Sequence, residues 1–304
     1  MKIANRMENL SPSVTLAITA LARELKAQGK DILSFSAGEP DFDTPQIVKD
    51  AAIKAINDGQ TKYTAVEGII ATKQAIINKL KKDHGLEYKL DGIVISNGAK
   101  HSLFNLFQVL IEKGDEVIIP APYWVTYPEQ VKFSDGIPVF IDTDDSTEFK
   151  ITPEQLKAVI TPKTKVLLLN TPSNPTGSVY TKEELTALGK VLEGTDILVF
   201  SDEMYEKIIY NGTKFTAAAE VSEDMYNRTV TINGLSKAVA MTGWRFGYIA
   251  TPNVALAKAL TKLQGQVTSN VNTMTQYAAI PALEGEADKD IEMMRVEFEK
   301  RKNI

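Results

Sequence analysis

The chain has 304 residues, of which 43% are hydrophobic, so it is long enough to build one large domain or two of modest size. Its 34 lysines and arginines against 39 aspartates and glutamates give a net charge of −5, which argues against nucleic acid as a partner because nucleic-acid binders usually carry excess basic charge. The lack of cysteine excludes disulfides, thiolate nucleophiles, iron–sulfur clusters and cysteine-ligated zinc.

The first predicted element is a helix over residues 14–28, which Gly29 follows. The residues before it lack the apolar core of a signal peptide. Residues 45–265 then alternate apolar runs of strand length with helix-period segments. Residues 271–304 are predicted to form two helices that divide near Gly285. The predicted strands are 93–96, 116–119, 139–142, 166–170, 197–201, 229–233 and 246–250.

Most of these strands are apolar on both faces, which is typical of a sheet covered by helices on each side. The sequence therefore predicts a three-layer α/β fold with a mostly parallel sheet. The longest stretch without a charge, 263–283, carries five Gln and Asn side chains that a bilayer core would exclude. We expect a cytoplasmic protein without a membrane partner.

Polar residues at the ends of the strands are the candidates for a site, because open α/β sheets bind ligands beyond the carboxyl ends of their strands. Gly98, Ala99 and Lys100 follow the first strand and open a helix, where free N–H groups and the helix dipole favour a phosphate. A plain tight turn is the alternative. Trp124 follows the second strand and offers a flat face to a heterocycle, unless it is ordinary core.

Three further clusters follow later strands. The loop 170–177 is fixed by prolines and a glycine, and it is either a binding loop or a plain turn. Asp202 directly follows the fifth predicted strand, where a buried carboxylate needs a cation or several donors, although it could also cap a helix. Lys237 follows the sixth strand among apolar and small residues. Burial lowers the pKa of a lysine and makes its amine a nucleophile towards carbonyls, whereas a solvated lysine is the alternative.

Together these clusters match the needs of one cofactor, pyridoxal 5′-phosphate. It has a phosphate, a flat ring, a ring nitrogen that requires an Asp partner and an aldehyde that forms a Schiff base with lysine. Two histidines are too few for a histidine-rich metal site, so no metal is expected and the general base is predicted to be Lys, Asp, Glu or Tyr.

Six motifs then identify the family. The sequence resembles the class I and II aminotransferases of the fold type I pyridoxal-phosphate family, and within it the bacterial aspartate aminotransferase subgroup. The resemblance covers nearly the whole chain, with the motifs in the family's order. The motifs are SAGEPDFDTP, which ends at Pro45, NGAKHSLFN (97–105), PYWVTYPE (122–129), NTPSNPTG (170–177), SDEMYE (201–206) and NGLSKAVAMTGWRFGY (233–248).

The resemblance implies catalytic roles for Lys237, Asp202 and Tyr205. Lys237 is expected to form the Schiff base and to move a proton between the substrate and the cofactor. Asp202 is expected to pair with the ring nitrogen and keep it protonated. Tyr205 and Asn174 would hydrogen-bond to the phenolic oxygen, and Trp124 would stack on the ring.

The resemblance also assigns the phosphate and substrate contacts. One of the phosphate contacts is expected to come from the partner subunit of a homodimer. The phosphate contacts are Gly98, Ala99, Lys100, Ser236, Arg245 and, from the partner, the residue Tyr63. The substrate contacts are Gly38, Ser13, Thr15, Lys100, Trp124 and Asn174.

The implied domain plan has three parts. Residues 1–44 form an N-terminal arm and contribute to a small domain, residues 45–285 form the large cofactor-binding domain, and residues 286–304 begin an incomplete, truncated small domain. In the family, a later C-terminal segment carries an arginine for the substrate's α-carboxylate, and that segment is expected to lie outside these 304 residues.

The implied function is ping-pong transfer of an amino group from an amino acid, with aspartate preferred, to a 2-oxo acid, with 2-oxoglutarate preferred. Within the same fold, the alternatives are an aromatic or other amino-acid aminotransferase or a pyridoxal-phosphate lyase. A non-catalytic, cofactor-binding regulatory domain is the alternative from a different class. It would need a DNA-binding module and a basic patch, and the charge of −5 argues against it.

Overall fold

A computed structural model of the chain describes residues 1–8, 10–35 and 38–304. The first two residues of the SAGEPDFDTP motif lie outside these ranges. Within the described residues, seven strands form one sheet, and each predicted strand is found with its ends within about two residues of the prediction. The strands are β1 (Ile93–Asn97), β2 (Glu116–Ala121), β3 (Ile137–Asp142), β4 (Thr164–Asn170), β5 (Leu198–Asp202), β6 (Thr229–Gly234) and β7 (Phe246–Ala250).

The strand order is β1-β7-β6-β5-β4-β2-β3. Strand β7 runs antiparallel to both of its neighbours, β1 and β6, whereas the other adjacent pairs are parallel. The predicted α/β fold with a mostly parallel sheet is therefore confirmed. Because six strands run in the same direction, their carboxyl ends meet at one edge of the sheet.

Eleven α-helices surround the sheet in the described part of the chain. The predicted helix near the N-terminus and the helix pair divided at Gly285 are both found, and Gly285 adopts φ 91° as the left-handed residue that ends the first of the pair. None of the described helices is long and apolar enough to cross a bilayer. The helices are α1 (Val14–Ala27), α2 (Gln46–Asn57), α3 (Ile70–His84), α4 (Ala99–Leu110), α5 (Thr126–Phe133), α6 (Pro153–Val159), α7 (Lys182–Leu192), α8 (Glu223–Arg228), α9 (Val254–Val267), α10 (Thr273–Glu284) and α11 (Asp288–Lys302).

Both faces of the sheet are packed, which explains why the strands are apolar on both sides. In β1, Ile93 and Ile95 face a core that they share with α2, α3 and α10, whereas Val94 faces a core formed with α4 and α9. In β4, Leu167 faces α7 while Leu168 faces the α4 side. Alternate side chains thus point into different layers, as the period of a strand requires.

A close approach between two backbones sets the start of α4. A Cβ atom on Gly247 of β7 would lie 2.3 Å from the backbone nitrogen of Ala99, so only glycine lets the first turn of α4 rest on the sheet. The start of this helix is consequently held against the start of β7.

An ion-pair cluster ties α3 to the segment that follows β5. The Lys79 ammonium contacts a Glu206 carboxylate oxygen directly and lies 3.4 Å from Asp83 Oδ2, while His84 Nε2 lies 2.8 Å from the other Glu206 oxygen. Burial alone would raise the pKa of Glu206, but Lys79 and His84 hold it well below its usual range. The chain just beyond β5 is therefore anchored from the side of the sheet that carries α3.

We expect Lys79→Met to lower the free energy of unfolding by roughly 3–5 kcal/mol, because it leaves a buried carboxylate without its lysine. Urea denaturation followed by circular dichroism measures the loss. Lys81→Met is the matched control on the same helix, since Lys81 pairs with Glu87 at the exposed surface. Similar losses in the two variants would contradict the role assigned to Lys79.

Candidate active site

A cavity of about 680 Å³ opens at the carboxyl ends of the parallel strands. Residues from the N-terminal segment, from α4 and from the loops after β2, β4, β5 and β6 meet in it. All but two of the site residues predicted from the sequence line its wall. The lining residues among the predicted set are Ser13, Thr15, Gly38, Ala99, Lys100, Trp124, Asn174, Asp202, Tyr205, Ser236, Lys237 and Arg245.

The two exceptions are Gly98 and Tyr63. Gly98 directly precedes α4 with φ 83°, and a Cβ atom on it would lie 2.6 Å from a guanidinium nitrogen of Arg245. Gly98 does not line the cavity itself, but its lack of a side chain lets the Arg245 guanidinium lie against it. Tyr63 lies between α2 and α3, is 90% exposed and does not line the cavity of its own chain.

The first turn of α4 and Arg245 form a positively charged corner of the cavity. The N–H groups of Ala99 and Lys100 belong to this turn, where a helix has no preceding carbonyl to accept them. Arg245 lies alongside, and its guanidinium donates to the carbonyls of Thr242 at 2.9 Å and Asn97 at 3.4 Å. Burial and the neighbouring Arg245 both lower the pKa of Lys100, as expected where positive charge accumulates. This corner is suited to an anion such as a phosphate.

Asp202 is the last residue of β5, and only 4% of it is exposed. Its Oδ2 accepts a hydrogen bond from the Tyr127 hydroxyl at 2.8 Å, and its Oδ1 accepts one from the Met204 backbone at 3.2 Å. Burial raises the pKa of this carboxyl to about 6, although both hydrogen bonds act in the opposite direction. An ionised Asp202 would gain most from a cationic group in the cavity.

Lys237 lies in the loop after β6, with its ammonium donating to the Gly38 carbonyl and lying 5.9 Å from the centre of the Tyr205 ring. Burial lowers the pKa of this lysine, Arg245 lowers it further, and Glu39 opposes the change. A lowered pKa increases the fraction of free amine, which is the nucleophilic and basic form.

Aromatic and amide groups form the remaining wall. The Lys100 ammonium lies 4.8 Å from the centre of the Trp124 ring. The Tyr205 hydroxyl is hydrogen-bonded to Asn174, and burial raises the pKa of Tyr205 to about 12. The backbone N–H of Asn174 donates to the Asn170 side chain at 2.6 Å, which fixes the loop after β4.

Among the lining residues that were not assigned a role from the sequence, Asn170 and Tyr127 contact Asp202 through their side chains. Asn170 donates to the Asp202 carbonyl at 3.0 Å, so its side chain links the ends of β4 and β5. Tyr127 contacts the Asp202 carboxylate although the two residues are 75 positions apart. Both lie within recognised motifs, but their partners are distant in the chain and no local pattern pairs them.

The sheet order, the layers and this cavity together define an α/β protein of the fold type I aminotransferase class. The chain belongs to the aminotransferase class I and II family, whose profile matches residues 30–304. The predicted family, fold class and enzyme class are thereby confirmed.

Individual relatives match over nearly the whole chain. It is 53% identical over 304 residues to an aspartate aminotransferase from Geobacillus stearothermophilus, covering 100% of this chain and 77% of that protein. It is 52% identical over 287 residues to an aspartate/prephenate aminotransferase from Nitrosomonas europaea, covering 94% of this chain and 72% of the relative. The solved structure of Thermus thermophilus aspartate aminotransferase with maleate matches with a TM-score of 0.96 at 39% identity, covering 100% of this chain and 78% of that one.

Asp202→Asn is expected to stabilise the cofactor-free protein, and to do so more as the pH rises. The folded state raises the pKa of Asp202 from 3.8 to about 6, so stability is lost as the pH rises through this window and the carboxyl must ionise inside the protein. The increase in the free energy of unfolding that Asp202→Asn causes should be about 2 kcal/mol larger at about pH 7.5 than at about pH 4.5.

Urea denaturation at the two pH values measures this difference. Asp142→Asn is the control, because Asp142 also ends a strand but is exposed. A gain from Asp202→Asn that does not depend on pH would show that the carboxyl pays no penalty for ionising in the folded state.

Proposed function

We propose that the protein transfers an amino group from an amino acid, preferably aspartate, to a 2-oxo acid, preferably 2-oxoglutarate, by a ping-pong reaction that uses pyridoxal 5′-phosphate. The observation that carries the proposal is that the Lys237 amine, the Asp202 carboxylate and the positive corner at α4 line one cavity. When bound, the cofactor supplies a ring that withdraws electrons from the substrate's α-carbon.

The chemistry of the cavity fits this cofactor. The amides of Gly98, Ala99 and Lys100, with Ser236 and Arg245, would hold the phosphate. Glycine at position 98 leaves room for the Arg245 guanidinium, because a Cβ atom there would fill the space that the guanidinium occupies. Asp202 would pair with the ring nitrogen and so relieve the cost of its own burial. A neutral hydroxyl of Tyr205 and the Asn174 amide are suitable donors to a phenolic oxygen, and Trp124 offers a face to the ring.

Lys237 is proposed as both the covalent anchor and the base. Lys237 would hold the cofactor through its amine, whose pKa is lowered by burial, and once the substrate's own amine has displaced it, the freed amine would take the proton from the substrate's α-carbon. The hydrogen bond from Lys237 to the Gly38 carbonyl must break for either step. That carbonyl lies beside the reacting amine, which supports a role for Gly38 in placing the substrate.

Lys100 is the proposed determinant of the acidic substrate. Its ammonium lies in the cavity over Trp124, with Ser13 and Thr15 from the N-terminal segment on the same wall. A cation in a partly desolvated site attracts a second carboxylate. The names of the relatives, and the maleate in the Thermus structure, agree with a dicarboxylate preference. Prephenate, named for the Nitrosomonas relative, is a second candidate substrate, since it also carries a second carboxylate.

A homodimer is part of this proposal. Tyr63 is strongly exposed and lies away from the cavity of its own chain, which supports its predicted contact with a phosphate in the partner subunit. The division at residues 44/45 and 285/286 and the cytoplasmic location stay predictions.

Lys237→Ala should abolish the visible absorbance of bound cofactor and the formation of glutamate from aspartate and 2-oxoglutarate, because it removes the amine that would hold the cofactor covalently. Borohydride reduction followed by peptide mass spectrometry should locate the cofactor on Lys237 in the unaltered protein. Lys262→Ala, a change at an exposed residue of α9, is the control. If the added mass of the reduced cofactor were found on a peptide without Lys237, Lys237 would not be the residue that holds the cofactor.

Lys100→Ala should lower kcat/KM for aspartate by roughly 10–100-fold, because a hydrogen bond to a charged group contributes about 1.5–3 kcal/mol. The value for phenylalanine should change about threefold or less, since that substrate has no side-chain carboxylate. Lys100→Arg keeps the charge and is expected to retain most of the preference. If both substrates lost activity equally in Lys100→Ala, the lysine would have no role in specificity.

A further inference from the structure

We propose that Tyr127 is a positioning residue for Asp202, whose hydroxyl orients the carboxylate towards the cavity and keeps it ionised so that it can pair with a cationic ring nitrogen. The geometry of the pair stands by itself, while its consequence for cofactor binding rests on the proposed function. The role was not foreseen from the motif in which Tyr127 lies.

The contact between the Tyr127 and Asp202 side chains is direct and buried. Tyr127 is 1% exposed, and its hydroxyl donates to Asp202 Oδ2 at 2.8 Å. The Met204 N–H donates to Oδ1 at 3.2 Å, so each carboxylate oxygen has one fixed donor. With both oxygens held in this way, the carboxylate has a single orientation and keeps lone pairs for a ligand in the cavity.

The ring of Tyr127 is itself fixed. Its backbone N–H donates to the Trp124 carbonyl at 3.0 Å, and its ring meets the Trp124 ring edge-on, at 5.4 Å between centres and an interplanar angle of 86°. One tyrosine thus links the proposed stacking residue with the proposed partner of the ring nitrogen. A shift of Tyr127 would displace both.

The charges around Asp202 show why the hydroxyl matters. Burial, and then the nearby Asp202, raise the pKa of Tyr127 well above its usual range, so Tyr127 remains a donor at neutral pH. Tyr205, from the loop after β5, raises the pKa of Tyr127 further. The cationic groups that line the same cavity are Lys237 after β6, Lys100 on α4 and Arg245 before β7.

Removal of the hydroxyl should therefore make Asp202 hold its proton more tightly. A hydrogen bond to an ionised group favours that form, so its loss should raise the proton affinity of Asp202 by about tenfold. A larger share of the carboxyl would then be neutral at about pH 7, and a neutral acid attracts a cation only weakly.

The first test measures the Asp202 carboxyl in the cofactor-free protein by carbon-13 NMR titration. Its signal is assigned by its loss in Asp202→Asn. Tyr127→Phe should raise the titration midpoint. Tyr180→Phe is the matched control, because Tyr180 is also buried and hydrogen-bonded, to the Ile151 N–H at 2.9 Å, but lies outside the cavity. An unchanged midpoint in Tyr127→Phe, or an equal change in Tyr180→Phe, would overturn the proposal.

The second test measures the dissociation constant of pyridoxal 5′-phosphate against pH. Tyr127→Phe should weaken binding by roughly twofold at about pH 7 and by up to roughly tenfold at about pH 5, and the difference should disappear as the pH rises and ionises Asp202 in both proteins. A tenfold loss that is the same at every pH would indicate a purely structural role and contradict the proposal. If the unaltered protein binds no pyridoxal 5′-phosphate, the proposed function fails while the NMR result still decides the role of Tyr127.

A third variant keeps the test decisive if Tyr127→Phe does not fold. Site-specific 3-fluorotyrosine at position 127 retains the ring and the hydroxyl but makes the hydroxyl a stronger donor. The Asp202 midpoint should then fall instead of rise. A rise or no change would count against the proposal.

Discussion

The candidate site is built around one carboxylate that is almost completely buried. Asp202 lies at the end of β5, and burial by itself favours the neutral acid. The structure opposes that tendency with two hydrogen bonds from fixed donors, and those donors are fixed because α5 and the turn after β5 pack against the sheet. The aromatic residues after β2, the loop after β4 and the loop after β6 that carries Lys237 come close to this carboxylate because their strands end at the same edge of the sheet.

The cavity is a costly arrangement in the absence of a ligand. Lys100 and Arg245 lie close enough for the arginine to lower the pKa of the lysine, and Lys237 is also disfavoured as a cation. In the proposed complex, an anion and a ring cation would relieve this repulsion, and the free energy released would contribute to the affinity for the ligand. The stability that offsets it comes from the cores on both faces of the sheet.

The ionisable groups on the side of the sheet that carries α3 differ from those of the cavity. Glu206 follows Asp202 by four residues, yet Lys79 and His84 satisfy its carboxylate, and its pKa moves in the opposite direction. The ion pairs of Glu206 hold the chain in place, whereas the charged groups of the cavity remain able to contact a ligand. Asp202 and Glu206, two of the three buried carboxylates in the segment 202–206, thus differ in their proposed roles because their surroundings differ.

The sequence by itself determined the seven strands, the helix pair divided at Gly285 and the polar residues at the strand ends, because each depends on side-chain periodicity or on a turn residue within a few positions. Only the tertiary structure decided which of these residues touch. It brought Tyr127 to Asp202 across 75 positions and Gly38 to Lys237 across 199, and it left Tyr63 facing outward. Such contacts are set by the order of the strands and the packing of helices on them, and local sequence patterns carry no information about distances across a fold.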